Sequence, residues 1–337
     1  TGSNGKTTTT LLTYHLLKEA GLKVGLAGNI GKSFAKQVME DEMDYYVIEI
    51  SSFQLDRCFH FTPKVAILLN ITPDHLDRYE YKFENYIHSK LRIFQNANED
   101  TTCITCAEDE VVNSYRQNIP AGHQQLISFN DKKACAWISE HEIQFHESWT
   151  LQRDDLPIKG PHNAINLSAA VLAAGAVGIS PEKIKKSLVT FVNAEHRLEP
   201  CGKWQNIEFI NDSKATNVDA VFYALNSFKR GIILIIGGVD KGNDYTVLDQ
   251  LVADKVKGII CLGTDNEKLL QHFTQKVPHI ISTQSLKEAV ETSASWASAG
   301  DTVLLSPACA SFDLFMNYED RGKKFKQTVK EFIDAQN

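Results

Sequence analysis

Short apolar, β-branched runs alternate with longer amphipathic stretches along most of the chain. In the first half "KVGLAG", "DYYVIEI" and "KVAILLNIT" predict strands, while "KTTTTLLTYHLLKEAG" and "FENYIHSKLRIFQNAN" carry apolar residues at helical spacing. This alternation predicts a parallel sheet with helical crossovers. From about residue 123 to 159 the texture changes: "QLISF", "ACAWIS" and "EIQFHESW" are short alternating segments that predict a small antiparallel meander. "HNAINLSAAVLAAGAVG" then predicts a helix ending at Gly178. A second series starts near residue 198, with "IEFIND", "GIILIIGG", "VKGIICLG", "HIIS" and "DTVLLSP" as strands and "NVDAVFYALNSF" and "SLKEAVETSASWA" as helices between them. A last helix, "FDLFMNYEDRGKKFKQTVKEFIDAQ", closes the chain.

The expected fold class is therefore α/β in two domains. Residues 1–197 form a P-loop-type central domain, mainly parallel with the small antiparallel meander, and residues 198–337 a Rossmann-like domain. The boundary is expected near 196–200, with strand ends facing a shared cleft. A length of 337 residues suits two cores better than one. Lys+Arg 35 against Asp+Glu 42 leaves a net charge of −7 without a basic block, which argues against nucleic acid as the main partner. No apolar run approaches a membrane span, so membrane insertion is not expected. The seven scattered cysteines suit reduced thiols in a cytosolic enzyme. Cys103 and Cys106 make a lone CxxC with no further ligands at zinc spacing.

The chemistry begins at "TGSNGKTTTT". Gly2, Gly5, Lys6, Thr7 and Thr8 give G-x-x-G-K-T-T at the entrance to a helix. Small residues let backbone N–H groups turn around phosphate oxygens, lysine adds a positive charge, and the Thr7 hydroxyl can hold Mg²⁺. The further glycine of the full Walker pattern falls before residue 1, and a Gly/Asn turn capping an ordinary helix is the competing reading. In "VIEISSFQL" a buried strand delivers Glu49 to its carboxyl end, where a charge is costly unless a cation meets it, an edge glutamate in solvent being the competing reading. "PDHLDRY" puts His75 on the same rim, and Lys90 in "HSKLRIF" lies on a helix expected beside it. Taken singly, His75 reads equally as a structural hydrogen-bonder and Lys90 as a solvated helix lysine.

Together "TGSNGKTTT", "GNIG", "EISSFQL", "NITPDHLDRY", "HSKLRIF", "GPHNAINLSAA", "EHRLE", "NDSKATN" and "LSPACASFDLFMNYEDRGKKF" resemble the Mur ligases of bacterial cell-wall synthesis, in order from residue 1 to about 325. "SSFQL" and "SPACASFDLF" look most like the members that add D-glutamate. Members that add L-alanine, a diamino acid or a dipeptide, and the folylpolyglutamate synthases, usually differ there. The resemblance implies a cytoplasmic bacterial ligase, expected as a monomer. The terminal carboxylate of UDP-N-acetylmuramoyl-L-alanine attacks ATP to give an acyl phosphate, which the amine of D-glutamate then opens.

By the same resemblance Gly2, Asn4, Gly5, Lys6, Thr7 and Thr8 hold the ATP phosphates. Thr7 and Glu49 bind one Mg²⁺, and His75 with a carbamylated Lys90 binds the second. Asn29 and Ser51 face the substrate, Asn163 and Asn166 the nucleotide, with Asn166 near the adenine. Arg197 and Asp212 approach the nucleotide from the far side of the cleft, Asp212 towards the ribose. Thr216 and Lys241 receive the α-carboxylate of D-glutamate. Ser311 and Phe312, at the expected start of the last helix, receive its side-chain carboxylate, with Tyr318 nearby. Complete Mur ligases carry an additional UDP-binding domain and a strand feeding the loop. The sequence contains neither, so a truncated piece is expected, with Gly2–Gly5 mobile and nucleotide binding weak and without ligation. A non-catalytic nucleotide-binding module is the alternative that truncation raises.

Overall fold

A computed structural model describes all residues except 31, 32, 41, 121, 122, 147 and 337. Gly31 of "GNIG" and Glu147 of "EIQFHESW" lie outside the described residues. The chain divides into two compact units, Thr1–Asn193 and Ala194–Asn337, so Glu195, His196 and Arg197 belong to the second.

The first unit holds the strands β1 (Val24–Gly28), β2 (Tyr45–Glu49), β3 (Val65–Leu68), β4 (Thr102–Cys106), β5 (His123–Ser128), β6 (Ala136–Ile138), β7 (Glu142–Phe145) and β8 (Trp149–Gln152). Its helices are α1 (Lys6–Glu19), α2 (Phe34–Glu40), α3 (Ser52–Leu55), α4 (Phe83–Leu91), α5 (Glu110–Tyr115), α6 (Pro161–Ala176) and α7 (Pro181–Leu188). Among the described residues β1 and β2 pair parallel as a sheet of their own, and the rest run in the order β3-β4-β5-β6-β7-β8. The expected meander is narrower than its sequence suggests. β5 lies parallel to β4 and β6 parallel to β5, so only β6, β7 and β8 are antiparallel. The first of these pairings follows from α5, a helical crossover between β4 and β5 that brings β5 in parallel.

Both faces of this sheet are covered, as parallel strands require. Ile104 of β4 packs with Leu12 and Leu16 of α1 and the alanine-rich face of α6. Its neighbour Cys103, like Ala66 and Leu68 of β3, packs with Leu55, Tyr86 and Ile87 of α3 and α4. Cys103 and Cys106, three residues apart on β4, point to opposite faces, so the CxxC cannot close on one ion. Burial holds both thiols protonated, with Cys106 pushed up to about 12.

Residues Thr1–Ser3 correct the expectation of an unanchored loop. The Thr1 nitrogen donates to Ile67 O at 2.9 Å, Leu69 N–H to Thr1 O at 3.1 Å and Ser3 N–H to Asn70 O at 2.9 Å, so ladder-like bonds to the end of β3 hold the loop. Alongside runs an apolar slot of about 590 Å³, lined by Tyr45 and Val47 on the edge of β2, Val65 and Ile67 on the edge of β3, and Thr9 and Thr13 of α1.

The second unit holds β9 (Glu199–Trp204), β10 (Ile207–Asn211), β11 (Ile232–Gly237), β12 (Val256–Leu262), β13 (His279–Thr283) and β14 (Thr302–Ala308). Its helices are α8 (Val218–Asn226), α9 (Asp249–Lys255), α10 (Glu267–Phe273), α11 (Leu286–Trp296) and α12 (Tyr318–Gln336). The sheet order β13-β12-β11-β14-β10-β9 is parallel except for β9 at the edge. Ile232, Leu234 and Ile236 of β11 pack with Val221 and Leu225 of α8, while Ile233 and Ile235 pack with Val290 of α11 and Phe325 of α12. From β11 the chain winds outward to β12 and β13, then returns to insert β14 beside β11. The carboxyl ends of β11, β14 and β10 thus flank the point where winding reverses, the usual place for a ligand in an open α/β sheet.

The last helix is also shorter than expected. Asn317 is its N-cap, its side-chain oxygen accepting from Asp320 N–H at 2.7 Å, so α12 begins at Tyr318. Ser311 and Phe312 lie in the preceding turn, closed by Phe315 N–H to Ser311 O at 2.9 Å, and no α12 N-terminus stands at them.

Candidate active site

Gly5 caps α1 with φ 82°, and a Cβ there would come within 2.2 Å of Asn166 Oδ1. Glycine is thus required both by the left-handed turn and by the approach of α6. Asn70 pins the loop from beneath: its Oδ1 accepts from Asn4 N–H at 2.8 Å and its Nδ2 donates to Asn4 O at 3.2 Å. Ser3 Oγ donates to Thr72 O at 2.9 Å, accepts from Thr72 N–H at 2.9 Å and lies 3.2 Å from Tyr86 OH. Thr7 is half-buried in the first turn of α1, and Thr8 is buried behind it.

Two amines converge on one backbone oxygen. Lys6 Nζ donates to Gly2 O and Ser3 O, each at 2.8 Å, and Lys90 Nζ donates to Gly2 O at 2.9 Å. Lys90 is no solvated helix lysine: it is 1% exposed, and its Nζ lies 4.6 Å from the Tyr86 ring centroid. Burial, followed by the Lys6 charge, lowers the Lys90 pKa to about 6, against a smaller opposing pull from Asp74. The side chain is therefore an uncharged amine near pH 7, the form that reacts with carbon dioxide.

Glu49, 2% exposed, ends β2. Its Oε1 accepts from Asn29 Nδ2 at 2.8 Å, and Asn29 N–H donates to Glu49 O at 2.8 Å. Its buried Oε2 has no hydrogen-bond partner. An orphaned carboxylate oxygen is costly unless a cation meets it, so the position fits a metal. Lys6, Lys90 and Glu49 all exert their charge on the Thr1 nitrogen, which brings the three together at the loop. Among the described residues no group of three or more His, Cys, Asp and Glu side chains forms a metal cage.

His75 sits apart in character. It precedes a 3-10 turn over Leu76–Tyr79 with φ 52°, its side chain half-exposed, Nε2 3.5 Å from Asp74 Oδ2 and its ring edge-on to Phe53 at 5.1 Å. Such a backbone strain in a non-glycine residue is characteristic of functional loops. Ser51 closes a capping box on α3 with Gln54. Asn163 and Asn166 are both buried on α6; Asn163 Nδ2 bonds Lys159 O at 2.8 Å, and Asn166 Nδ2 bonds Asn163 Oδ1 at 3.2 Å, leaving Asn166 Oδ1 against Gly5.

In the second unit Asp212 is buried, its Oδ1 accepting from Leu198 N–H at 3.2 Å and its Oδ2 from Ser306 Oγ at 2.9 Å. Burial raises its pKa to about 7, although Ser306, the Leu198 N–H and the Arg197 charge pull the other way. Asn211 Nδ2 ties His196 Nδ1 at 2.9 Å to Glu199 Oε2 at 3.0 Å and so shapes the loop that carries Arg197. Thr216 and Lys241 are exposed, Ser311 is buried and Phe312 is 71% exposed. Tyr318 presents its ring face to Lys214 Nζ, 3.7 Å from the centroid.

The Mur ligase middle-domain model matches residues 1–174, and that of the Mur ligase glutamate ligase domain matches residues 196–309. The chain belongs to the Mur ligase family. Among curated relatives, the UDP-N-acetylmuramoylalanine–D-glutamate ligase of Cytophaga hutchinsonii is 51% identical over 98% of this chain and 75% of its own length. The enzyme of the same name from Bacteroides fragilis is 47% identical, over 98% and 76%. The solved MurF ligase from Thermotoga maritima in complex with ADP superposes with a TM-score of 0.76 at 17% identity, covering 100% of this chain and 79% of that one, a likeness of fold.

Three residues of this Mur ligase escaped the sequence reading. Asn70 and Tyr86 hold the phosphate loop, and Arg321 lies fully buried in α12. Tyr86 was findable: it precedes Lys90 by one helical turn, the spacing at which side chains meet. Asn70 and Arg321 act on backbone atoms distant in sequence and leave no local signal.

Proposed function

We infer that this Mur ligase catalyses the ATP-dependent addition of D-glutamate to UDP-N-acetylmuramoyl-L-alanine, making a peptidoglycan precursor in the bacterial cytoplasm. The observation that carries the reading is the pair of lysine amines on Gly2 O at a phosphate loop, in a chain whose 51% and 47% identical relatives bear that activity's name. The terminal carboxylate oxygen of UDP-N-acetylmuramoyl-L-alanine bonds to the γ-phosphorus of ATP as ADP leaves. The amine of D-glutamate then bonds to the acyl carbon, phosphate departs, and the amine loses a proton.

Lys6 leaves its carbonyl partners for the γ-phosphate and neutralises the charge that migrates there. Asn4, Gly5, Thr7 and Thr8 cradle the phosphates, while Asn163 and Asn166 hold the nucleotide from α6. Thr7 and Glu49 would hold one Mg²⁺, and His75 with Lys90 as its carbamate the second. Bound there, the ions supply charge neutralisation on the phosphates. Carbamylation suits Lys90 because its amine is buried and deprotonated; the new N–C bond forms as the N–H proton leaves, giving an anion in place of a base. Asn29 orients Glu49, and Ser51 faces the substrate. Arg197 and Asp212 serve the nucleotide, Thr216 and Lys241 the α-carboxylate of D-glutamate, and Ser311, Phe312 and Tyr318 its far end. The enzyme works as a monomer, to be checked by light scattering.

Phosphate release from the full-length gene product, with UDP-N-acetylmuramoyl-L-alanine and a panel of amino acids, tests the reading. D-Glutamate is expected to be turned over far faster than the others. Equal rates with a neutral or cationic amino acid would sink it.

A further inference from the structure

Arg321 is 1% exposed in the first turn of α12. A cation there is disfavoured twice, by removal from water and by the positive end of the helix dipole. Among the described residues no carboxylate forms an ion pair with it. Its five contacts are instead one hydroxyl and carbonyl oxygens: Nε to Ser213 Oγ at 2.9 Å, Nη2 to Ser213 O at 3.0 Å and to Cys309 O at 3.2 Å, and Nη1 to Cys309 O at 3.2 Å and Gly237 O at 3.4 Å. Burial lowers its pKa to about 10, which leaves it charged at pH 7.

Those three residues stand at the carboxyl ends of β10, β11 and β14, the strands that flank the reversal of winding. Each tether lies within four residues of an expected acceptor contact: Ser213 before Thr216, Gly237 before Lys241, Cys309 before Ser311. The loops after β11 and β14 are also joined directly, by Val239 N–H to Ala310 O at 2.8 Å.

We propose that Arg321 is the positioning residue of the amino-acid acceptor site: one guanidinium fixes three loops against each other and sets an unneutralised charge behind a pocket that must take a dicarboxylate. The proposal rests on the function inferred above. A fork of five donors can span three strands, which a lysine ammonium cannot do. The absence of a carboxylate ion-pair partner among the described residues gives the charge its value, because it is left for the substrate's anions to neutralise. The field of Asp313 also reaches Arg321, but its Oδ2 is engaged elsewhere, accepting from Thr264 N–H at 3.0 Å.

The test compares Arg321→Met, Arg321→Lys and Ser213→Ala in the full-length gene product, by KM for D-glutamate, KM for ATP, kcat and melting temperature, with D-glutamine as a single-carboxylate comparison. For Arg321→Met the KM for D-glutamate is expected to rise about 30-fold or more, as on loss of a buried charge contact. The KM for ATP should stay within about threefold, and turnover of D-glutamine should fall less than that of D-glutamate. Arg321→Lys should recover part of the loss. Parallel rises in both KM values, equal losses with D-glutamate and D-glutamine, or an unchanged KM for D-glutamate each overturn the proposal. If Arg321→Met fails to fold, Ser213→Ala decides, with a KM for D-glutamate raised about threefold or more supporting the positioning role and an unchanged value ending it. A wild-type enzyme that does not turn over D-glutamate refutes the functional reading itself, a different outcome from any of these.

Discussion

The two units prepare their candidate sites in opposite ways. In Thr1–Asn193 the working groups, half-exposed His75 apart, are already drawn inward: Lys90 and Glu49 are buried, Lys6 rests on backbone oxygens and the loop is pinned by Asn70 and Tyr86 with Asn166 close against Gly5. In Ala194–Asn337 three of the groups expected to touch the amino acid, Thr216, Lys241 and Phe312, are exposed on loops and Ser311 is buried, while Arg321, Asn211 and Ser213 are buried behind them. Phosphate-transfer chemistry gains from groups fixed before the reaction, since preorganised dipoles cost no rearrangement at the transition state. A small acceptor that must enter, react and leave in a larger product is better served by exposed contacts on a rigid base.

The strongest way to break this comparison is at Lys90. Lys90→Ala is expected to reduce ligation about 100-fold or more and to abolish a carbamate signal in ¹³C NMR with labelled bicarbonate. An unchanged rate would return the residue to mere packing. Next comes Gly5→Ala, which meets both a positive φ and Asn166; a loss of about 1–3 kcal/mol is expected in denaturant melts, with nucleotide titration weakened in parallel. Retained ADP affinity would show that the loop is softer than its contacts imply.

Opposite pH slopes sharpen the contrast. The pKa of Lys90 falls from 10.5 to about 6 on folding, so between those values the unfolded chain binds the extra proton. Its burial therefore penalises stability most below pH 6, and the penalty fades as pH rises towards 10.5. The pKa of Asp212 rises from 3.8 to about 7, so the folded state holds the proton and stability falls as pH climbs from about 4 to 7. In metal-free protein Lys90→Met should gain on wild type towards low pH, and Asp212→Asn should gain on wild type as pH rises through 4 to 7. Chemical denaturation across pH reads both slopes, and parallel slopes would contradict the burial argument. The smallest effect is at Ser51, where Ser51→Ala removes a cap worth about 1 kcal/mol, visible as a small shift in the melt of the first unit.

How much of this was legible depended on how local each cause is. The strands "GIILIIGG" and "DTVLLSP" and the Lys6 helix follow from runs and periods within a few residues, and they stand where the sequence put them. The direction of β5 did not follow, because pairing depends on the crossover before it and not on its own residues. Likewise "FDLFMNYEDRG" has the period of a helix throughout, but Asn317 ends the turn and starts α12 later. Lys6 and Glu49 could be picked out by type and place and Lys90 through the family resemblance, whereas the shared partner of the two lysines, a backbone oxygen of Gly2, has no sequence signature. Arg321 looks like any basic residue of "NYEDRGKKF", since burial of a charge is a tertiary fact.

The slot between β2 and β3 has a consequence for amide exchange. A parallel strand sends alternate N–H groups to either side, so along β2 every second amide faces β1 and the others face the slot. β3, bonded to β4 on its far flank, has the same division. Deuterium uptake along these two strands should accordingly run at two speeds residue by residue, while β4, paired on both sides, exchanges slowly throughout. An extended apolar segment added in solution would slow only the fast set, which makes the alternation a gauge of whether anything lies against these edges.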